Sequence, residues 1–352
     1  MANDWLIYGA YGYTGELVAR EAISRGLRPV LAGRSEAKLK ALSAELGLQY
    51  RAFDCDQIMT NLAGIKAVLN CAGPFSSTAE PIVKSCIDQK IHYVDITGEI
   101  AVFEMCNSLH HAATSAGVVL CPGAGFDIVP TDCLAALLKK RLPDASSIDL
   151  AFSFGSRPSL GTALTTIEGL KKGGVIRQQG HLVNVPNGFR ARRIPFTSGS
   201  RWAVTIPWGD VYTAGVSTGV PNGMVYSAAP LGVAILMRIS NWASGVLAGE
   251  RAQSFLKSMA RRIFSEGPDA SRRASSKTEF WGEATNARGE RVSARLTAPG
   301  VYDLTADTAV DIICHCLLAQ ANFGYFTPSM LLGENFITDR PNVSLEWLTL
   351  YP

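Results

Sequence analysis

The sequence predicts an α/β protein with a doubly wound parallel sheet, followed by a second α+β domain built on a mixed or antiparallel sheet. Between residue 4 and about residue 125, short runs of β-branched and aliphatic residues alternate with segments of helical period. This alternation is typical of βαβ units in a parallel sheet. After Pro130 the strand-like pieces become rich in Thr, Val and aromatic residues, which indicates a mixed or antiparallel sheet.

Six strands and four helices are predicted in the first domain, which we assign to residues 1–130. The strands are residues 5–8, 28–32, 49–53, 67–71, 92–95 and 118–121. The helices are residues 15–24, 36–45, 78–88 and 101–116. Gly47 and Gly117 follow two of these helices, where glycine often ends a helix because it adopts the left-handed conformation easily.

The second domain, residues 131–305, is predicted to open with a helix at residues 131–140. Its strand-like pieces are residues 147–153, 182–185, 203–207 and 212–218. Residues 291–296 and 300–305 are predicted to form a hairpin, and residues 307–320 a helix.

Composition excludes several classes of protein. The chain has 352 residues, 47% of them hydrophobic and 18% charged, so it can form about two domains with buried cores. The 33 basic and 30 acidic residues give a net charge of +3, which gives no reason to expect a nucleic-acid partner. The chain begins with a strand-like run where a secreted protein would carry a signal peptide, so we expect a cytoplasmic protein.

The eight cysteines are scattered singly and have no metal-binding spacing. Most lie inside apolar runs, where a thiol behaves as a small hydrophobic group. We therefore predict buried, unpaired cysteines and no metal site.

A glycine-rich string, GAYGYTG at residues 9–15, follows the first strand and opens the first helix. A dinucleotide needs its pyrophosphate placed on helix N-terminal amides, and only glycine lets the backbone approach that closely. In this context the string predicts a Rossmann-type dinucleotide site; the alternative is a glycine-rich turn that binds nothing. The candidate ligands of the pyrophosphate are Gly9, Tyr11, Gly12, Tyr13, Thr14 and Gly15.

The end of the second strand predicts NADP(H) as the cofactor. An NAD-preferring fold places an acidic residue there, whereas this chain has Arg34, followed by Ser35 and, one helical turn on, Lys38. A guanidinium can pair with a 2′-phosphate; the alternative is that Arg34 is only a solvated turn residue. Asp54, which ends the third strand, is expected either to approach the adenine or to cap the next helix.

Several strings together resemble the saccharopine dehydrogenase-like NADP-binding proteins. They are GAYGYTG (residues 9–15), LNCAGPF (69–75), YVDITGE (93–99) and PGAGFDIVPTD (122–132). Three later strings, PWGD (207–210), STGVPN (217–222) and GYFTPSM (324–330), are similar to the bacterial branch of this family that includes the trans-acting enoyl reductases. The first string departs from the commonest family pattern by having Tyr11 in place of a small residue.

The resemblance implies an NADP-dependent oxidoreductase whose nicotinamide lies near the carboxyl ends of the fourth, fifth and sixth strands. The residues implicated are Cys71, Ala72, Gly73, Pro74, Phe75, Thr97, Gly98, Glu99, Gly123, Gly125 and Phe126. It also implies that a C-terminal segment of about residues 306–340 returns to complete the first domain, with residues 307–333 packed beside residues 123–127.

The sequence does not identify the substrate that accepts the hydride. We favour reduction of an activated C=C of an acyl or lipid-like substrate; the alternatives are an imine or amino-acid dehydrogenase and a non-catalytic NADP-binding protein at a membrane surface. Arg190, Arg192, Arg193 and Arg201 are candidates to hold the phosphates of an acyl carrier or of coenzyme A. The expected partners are a small-molecule or acyl-carrier-bound substrate and a second copy of the chain.

No catalytic spacing singles out the proton donor. Tyr226 and Lys171 are our first candidates, and His181 and Asp210 are weaker ones. Thr162 and Glu168 lie in a segment that we expect to face the nicotinamide.

Residues 228–248 form a nearly continuous apolar stretch that is just long enough to cross a bilayer. Arg238 and Asn241 interrupt it near its middle and lie with Ser244 on one side of a helix. The pattern therefore favours an amphipathic helix that docks on the protein, on a partner or on a membrane surface over one that spans the membrane.

Overall fold

The computed structural model describes residues 4–154, 173–241, 254–255, 257–259, 262, 270–318 and 322–348. The chain divides into two compact units. The first combines Met1–Val129 with Tyr302–Gly333, and the second combines Pro130–Val301 with Glu334–Pro352. The segment that returns to the first unit thus ends at Gly333, where the sequence suggested about residue 340.

The strands, in chain order, are β1 (Trp5–Tyr8), β2 (Val30–Gly33), β3 (Tyr50–Ala52), β4 (Ala67–Asn70), β5 (His92–Asp95), β6 (Val119–Cys121), β7 (Ala145–Ser153), β8 (Gly174–Gln178), β9 (His181–Val185), β10 (Ala191–Phe196), β11 (Gly199–Thr205), β12 (Asn222–Ala228), β13 (Lys277–Asn286), β14 (Arg291–Pro299), β15 (Gly324–Tyr325) and β16 (Ser344–Leu348). The helices are α1 (Tyr13–Ser24), α2 (Glu36–Leu46), α3 (Phe75–Asp88), α4 (Ile100–Ser108), α5 (His110–Ala116), α6 (Val129–Arg141), α7 (Asp210–Thr218), α8 (Leu231–Ser240), α9 (Ala270–Ser275), α10 (Val301–Leu318) and α11 (Pro328–Leu332). A 3-10 helix, Cys55–Asn61, follows β3.

The first unit is built on a parallel sheet with the strand order β15-β6-β5-β4-β1-β2-β3. Its central strands β1, β2 and β4 are buried along their whole length, as strands covered on both faces must be. The predicted doubly wound sheet is confirmed. The chain order reverses between β1 and β4, and ligands of such sheets bind outside the carboxyl ends of the strands at this switch point.

The second unit is built on a mixed sheet, which agrees with the predicted mixed or antiparallel sheet, and its strand order is β10-β11-β12-β7-β13-β14-β16. Its strands are antiparallel except for the parallel pair β12 and β7, and a β8–β9 hairpin joins the edge of β12. Helix α6 packs on one face, where a Cβ on Gly282 would lie 2.7 Å from Leu138 Cδ1. A hydrophobic cluster that includes Tyr226 and Trp281 lies in the same unit.

Two predicted strands in the later half of the chain are wrong. Residues 212–218 form helix α7, in which Val211, Ala214, Gly215 and Thr218 are buried at helical spacing, so the helical face overrides the β-propensity of the Thr and Val residues. In the predicted strand at residues 300–305, residues 301–305 instead form the first turns of α10, and the partner of β14 in the hairpin is β13. The predicted helix at residues 101–116 is two helices that meet at Leu109.

Helix α8 forms the first part of the apolar stretch at residues 228–248, and residues 242–248 lie outside the described residues. Ala234 is buried, whereas Ile235, Leu236 and Ile239 are half or more exposed. Among the described residues, no helix combines the length and the hydropathy required to span a membrane.

Candidate functional site

The glycine loop of residues 9–15 joins β1 to α1 at the carboxyl edge of the first sheet. Gly9 has a φ of +83°, and a Cβ there would lie 2.9 Å from the Cβ of Ala72. A Cβ on Gly15 would overlap the carbonyl oxygen of Gly9. Both positions therefore require glycine. At these positions the loop presents backbone atoms, and no side chain, to a ligand.

Helix α1 begins directly after its N-cap, Gly12, which has no side chain to accept hydrogen bonds from the first-turn amides. The amides of a helix's first turn have no partner within the helix, and they carry the positive end of the helix dipole. Together with the glycine loop, this end of α1 fits a pyrophosphate. Tyr13, Thr14 and Gly15 supply the first-turn amides, as the sequence analysis proposes.

Tyr11, the unusual residue of the loop, covers the end of β2. A Cβ on Gly33 would lie 2.7 Å from Tyr11 Cε1, so the ring rests against the Gly33 backbone. Lys38 Nζ lies 5.5 Å from the centre of the Tyr11 ring, within the range of a cation–π contact. Tyr11, the residue that departs from the family pattern, therefore brings Lys38 into contact with the glycine loop.

Arg34 and Asp54 face one another beside this loop. Arg34 Nε lies 3.8 Å from Asp54 Oδ1, and both side chains are mostly exposed. Asp54 occupies the N-cap of the 3-10 helix, but its side chain forms no capping hydrogen bond, so helix capping is not its role. Ser35 likewise precedes α2 without a side-chain cap. A guanidinium, a hydroxyl and the Lys38 ammonium are thus available where a 2′-phosphate is predicted.

Residues 71–75 connect β4 to α3, and the buried side chain of Asn70 fixes this connection through hydrogen bonds. Its Oδ1 accepts a hydrogen bond from the amide of Ala72 at 3.0 Å. Its Nδ2 donates to Thr78 Oγ1 at 3.1 Å and to the Tyr93 hydroxyl at 3.3 Å. Thr78, inside α3, donates its hydroxyl to the Ala72 carbonyl at 2.7 Å. Cys71, Ala72, Gly73, Pro74 and Phe75 therefore lie on a fixed connection.

Glu99 caps helix α3 from a different loop. Its carboxylate accepts hydrogen bonds from the amides of Phe75 at 2.9 Å and Ser76 at 3.0 Å. The amide of Glu99 in turn donates to Thr97 Oγ1 at 3.0 Å. Both predicted cofactor residues thus organise the edge of the sheet, and their contact with the cofactor stays a prediction, as does that of Gly98.

The buried Asp95 joins the ends of β5 and β6, a role that the sequence analysis missed. Its carboxylate accepts hydrogen bonds from the Tyr93 hydroxyl at 2.8 Å and from the amides of Thr97 and Gly123, each at 2.9 Å. Burial raises the pKa of Asp95 to about 6, although the two amides lower it. An aspartate that closes an apolar strand is the sequence signal for such a residue.

Helix α10 packs against residues 123–127, as the family resemblance implies, through Thr308 of the expected segment and through Thr305 just before it. Thr305 Oγ1 accepts a hydrogen bond from the amide of Phe126 at 3.0 Å, and Thr308 donates its hydroxyl to the Ala124 carbonyl at 2.7 Å. A Cβ on Gly125 would lie 2.8 Å from Thr305 Cγ2, and Gly123 has a φ of +79°. Gly123 and Gly125 are thus required by close approach and by backbone conformation.

Asp127, next along the chain, was not a candidate proton donor from the sequence alone. It follows β6 at the same edge of the sheet and is neither fully buried nor fully exposed. Burial raises its pKa to about 7, because removal from water disfavours the charged carboxylate. A carboxyl group that titrates near neutral pH is suited to donate a proton.

The candidate donors of the second unit receive less support. Tyr226 is fully buried in the hydrophobic cluster, its hydroxyl lies 3.5 Å from Asp149 Oδ2, and burial raises its pKa to about 12. Asp210 is buried and accepts a hydrogen bond from Thr131, whereas His181 is exposed on β9. Lys171, Thr162 and Glu168 lie outside the described residues.

The predicted arginine cluster divides between two places. Arg190 and Arg192 line an open cavity of about 430 Å³. Arg193 instead donates to the side chain and backbone of Ser200, and Arg201 pairs with Glu279.

Comparison with known proteins identifies the first unit. Residues 5–121 match the family described as the saccharopine dehydrogenase NADP-binding domain. Over these residues the chain is similar to the NADP-binding domain of saccharopine dehydrogenases. The cofactor prediction, NADP(H), is confirmed by this match, whereas the residues proposed to contact the cofactor remain predictions.

Two groups of relatives are similar to part of this chain. The chain is 34% identical over 156 residues to a saccharopine dehydrogenase-like oxidoreductase of Mus musculus, covering 36% of this chain and 35% of the relative. It is 35% identical over 152 residues to a trans-acting enoyl reductase of Mycobacterium leprae, covering 40% and 36% of the two chains. The match thus spans about a third of these relatives' length.

The solved structure of apo saccharopine dehydrogenase (L-Glu forming) from Saccharomyces cerevisiae has the same fold. It superposes with a TM-score of 0.62 over 99% of this chain and 100% of that chain, at 12% identity. The likeness supports the fold of both units and carries no information about the substrate.

Proposed function

We propose that the chain is an NADPH-dependent reductase of an activated C=C in an acyl or lipid-like substrate. The observation that carries the proposal is the glycine loop at residues 9–15, whose required glycines and uncapped helix suit a pyrophosphate within a domain of an NADP-binding family. The similarity to trans-acting enoyl reductases supports the choice of an enoyl substrate.

The side chains of the first unit have separate roles in this proposal. Arg34, Ser35 and Lys38 hold the 2′-phosphate, and the amides of Thr14 and Gly15 hold the pyrophosphate. When bound, NADPH supplies the hydride that adds to the β-carbon of the enoyl group. We assign the proton that the α-carbon then requires to Asp127, whose carboxyl pKa is raised to about 7 by burial.

The test follows NADPH absorbance while enoyl-thioesters, imines and amino acids are offered separately to the purified chain. We expect NADPH oxidation with enoyl-thioesters alone. Oxidation with imines, or reduction of NADP⁺ with amino acids, would transfer the assignment to a dehydrogenase of the saccharopine type. Tight NADPH binding with no turnover of any substrate would favour a non-catalytic protein. Omission of the thioester is the control for background oxidation.

A further inference from the structure

Tyr11 places an aromatic ring in the glycine loop, and the backbone fixes where that ring lies. The amides of Gly9 and Ala10 both donate to the carbonyl of Ala32, at 2.8 and 3.1 Å, so the loop is tied to the end of β2. The ring lies against the backbone there, since a Cβ on Gly33 would lie 2.7 Å from Tyr11 Cε1. The face of the ring that is turned away from β2 is therefore presented at a defined position.

Lys38 contacts this ring from the first turn of α2. Its Nζ lies 5.5 Å from the centre of the ring, within the range of a cation–π contact. The N-terminus of a helix carries the positive end of the helix dipole, so a lysine is electrostatically disfavoured there. Among the residues that the structure describes, no carboxylate lies within ion-pair distance of Lys38. The ring thus holds an ammonium group whose charge no carboxylate neutralises.

The other groups at the end of β2 do not depend on the ring. The side chain of Arg34 is 75% exposed and lies 3.8 Å from Asp54, a separation at which an exposed ion pair contributes little. Ser35 precedes α2 without a side-chain cap, so the first-turn amides lack that partner. Glu36, the acidic residue of that turn, forms no ion pair within the described ranges of the chain. Lys38 is therefore the group whose position Tyr11 controls.

We propose that Tyr11 sets the preference for NADPH over NADH by holding the Lys38 ammonium where it pairs with the 2′-phosphate. The proposal rests on the proposed function, which assigns Arg34, Ser35 and Lys38 to that phosphate. A lysine side chain loses rotamer freedom when it binds an anion, and a ring that restrains it beforehand reduces this loss. Tyr11 acts through Lys38 and is a positioning residue.

Titration calorimetry with 2′,5′-ADP and with 5′-AMP, which lacks only the 2′-phosphate, tests the proposal without any turnover. The ratio of their two affinities measures what the 2′-phosphate contributes, and we expect it to be at least about tenfold in the wild-type chain. Tyr11→Ala should lower this ratio roughly twofold to fivefold, the size of an exposed cation–π contact. Tyr11→Leu should lower it equally, because leucine keeps bulk but has no π face. Tyr11→Phe keeps the ring and should keep the ratio.

A second pair of variants shows whether the ring acts through the ammonium. Lys38→Ala should lower the ratio roughly tenfold, as expected for the loss of a charge-assisted contact. Adding Tyr11→Ala to Lys38→Ala should lower it no further, because two residues that act as one unit have non-additive effects. Lys40→Ala, which removes an exposed lysine of the same helix, is the matched control and should keep the wild-type ratio.

The proposal is overturned if Tyr11→Ala keeps the full ratio, if Tyr11→Phe loses as much as Tyr11→Ala, or if the losses of the two single variants multiply in the double variant. A wild-type chain that binds both nucleotides equally would refute the 2′-phosphate site itself. Thermal unfolding of each variant shows that the protein is folded. Because no turnover is measured, the expected ratios without enoyl reduction would refute the proposed reaction alone.

Discussion

At the scale of single residues, Arg34 is expected to decide which dinucleotide the first unit prefers. The Arg34→Ala variant should raise the KM for NADPH by roughly tenfold to a hundredfold, because a hydrogen bond to a charged group contributes about 1.5–3 kcal/mol. The KM for NADH should change little, since NADH has no 2′-phosphate. Steady-state kinetics with both cofactors measures the ratio.

The matched control for this prediction is Arg28→Ala. Arg28 precedes the same strand but donates to the carbonyl of Gly47, remote from the glycine loop. It should leave the preference between the cofactors unchanged. An equal rise of the KM for NADPH and NADH in Arg34→Ala would contradict the assignment.

Asp127 is expected to make kcat depend on pH near neutrality. With a pKa raised to about 7, Asp127 is protonated below neutral pH and loses its proton above it. If it is the proton donor, kcat falls as the pH rises through about 7. Asp127→Asn should lower kcat by about 10²–10⁴-fold and remove this limb of the pH profile.

Asp88→Asn, at the exposed end of α3, controls for the loss of a carboxylate elsewhere in the first unit. Its kcat and pH profile should match those of the wild type. A fully active Asp127→Asn with an unchanged profile would place the proton donor elsewhere.

At the scale of elements, the N-terminus of α3 depends on a residue from another loop. Glu99→Ala removes the acceptor of the Phe75 and Ser76 amides and should lower the free energy of unfolding by about 1–2 kcal/mol. Urea denaturation measures it. Glu80→Ala, which removes an exposed pair with Lys84 in the same helix, should cost less than about 0.5 kcal/mol.

The two interpretations of Glu99 separate in the same experiment. If Glu99 mainly positions α3, the free energy of unfolding falls in Glu99→Ala. NADPH affinity then falls only as far as the loop becomes less ordered. A large loss of NADPH affinity at wild-type stability would instead identify Glu99 as a direct cofactor contact.

The elements of the first unit could be predicted well because each buried strand is a short apolar run flanked by helical period. The glycine loop could also be predicted, since the close approach of Gly9 to Ala72 leaves glycine at a fixed spacing. β15 could not, because two residues carry no periodic signal. In the second unit, α7 contains the Thr and Val residues typical of strands, and only its tertiary packing makes it a helix.

The charged cavity of the second unit shows the limit of prediction for the site. Arg190 and Arg192 are visible in the sequence as a basic run, but Arg291, Asp149 and Glu283 join them only through the register of β7, β13 and β14. Contacts between residues so far apart in the chain depend on the sheet as a whole. Asp127 was missed for a related reason, since its raised pKa depends on burial.

At the scale of the whole molecule, the two compact units have separate roles in the proposed reaction. The first supplies a parallel sheet whose carboxyl edge is shaped for NADPH, and its last segment, Tyr302–Gly333, comes from far along the chain. The second supplies a mixed sheet with an open cavity of about 430 Å³ that is lined mainly by charged side chains. The fold is shared with a saccharopine dehydrogenase over nearly the whole chain, so the substrate must be established by chemistry.

A labelled hydride shows whether the chain carries out the proposed reduction. The purified chain is incubated with an enoyl-thioester and NADPH that carries deuterium at the transferable position of its nicotinamide, and the product is examined by mass spectrometry and NMR. We predict a saturated thioester with deuterium on the β-carbon and a solvent proton on the α-carbon. Recovery of the unreduced thioester with the deuterium still on NADPH, under conditions where NADPH is bound, would contradict the account.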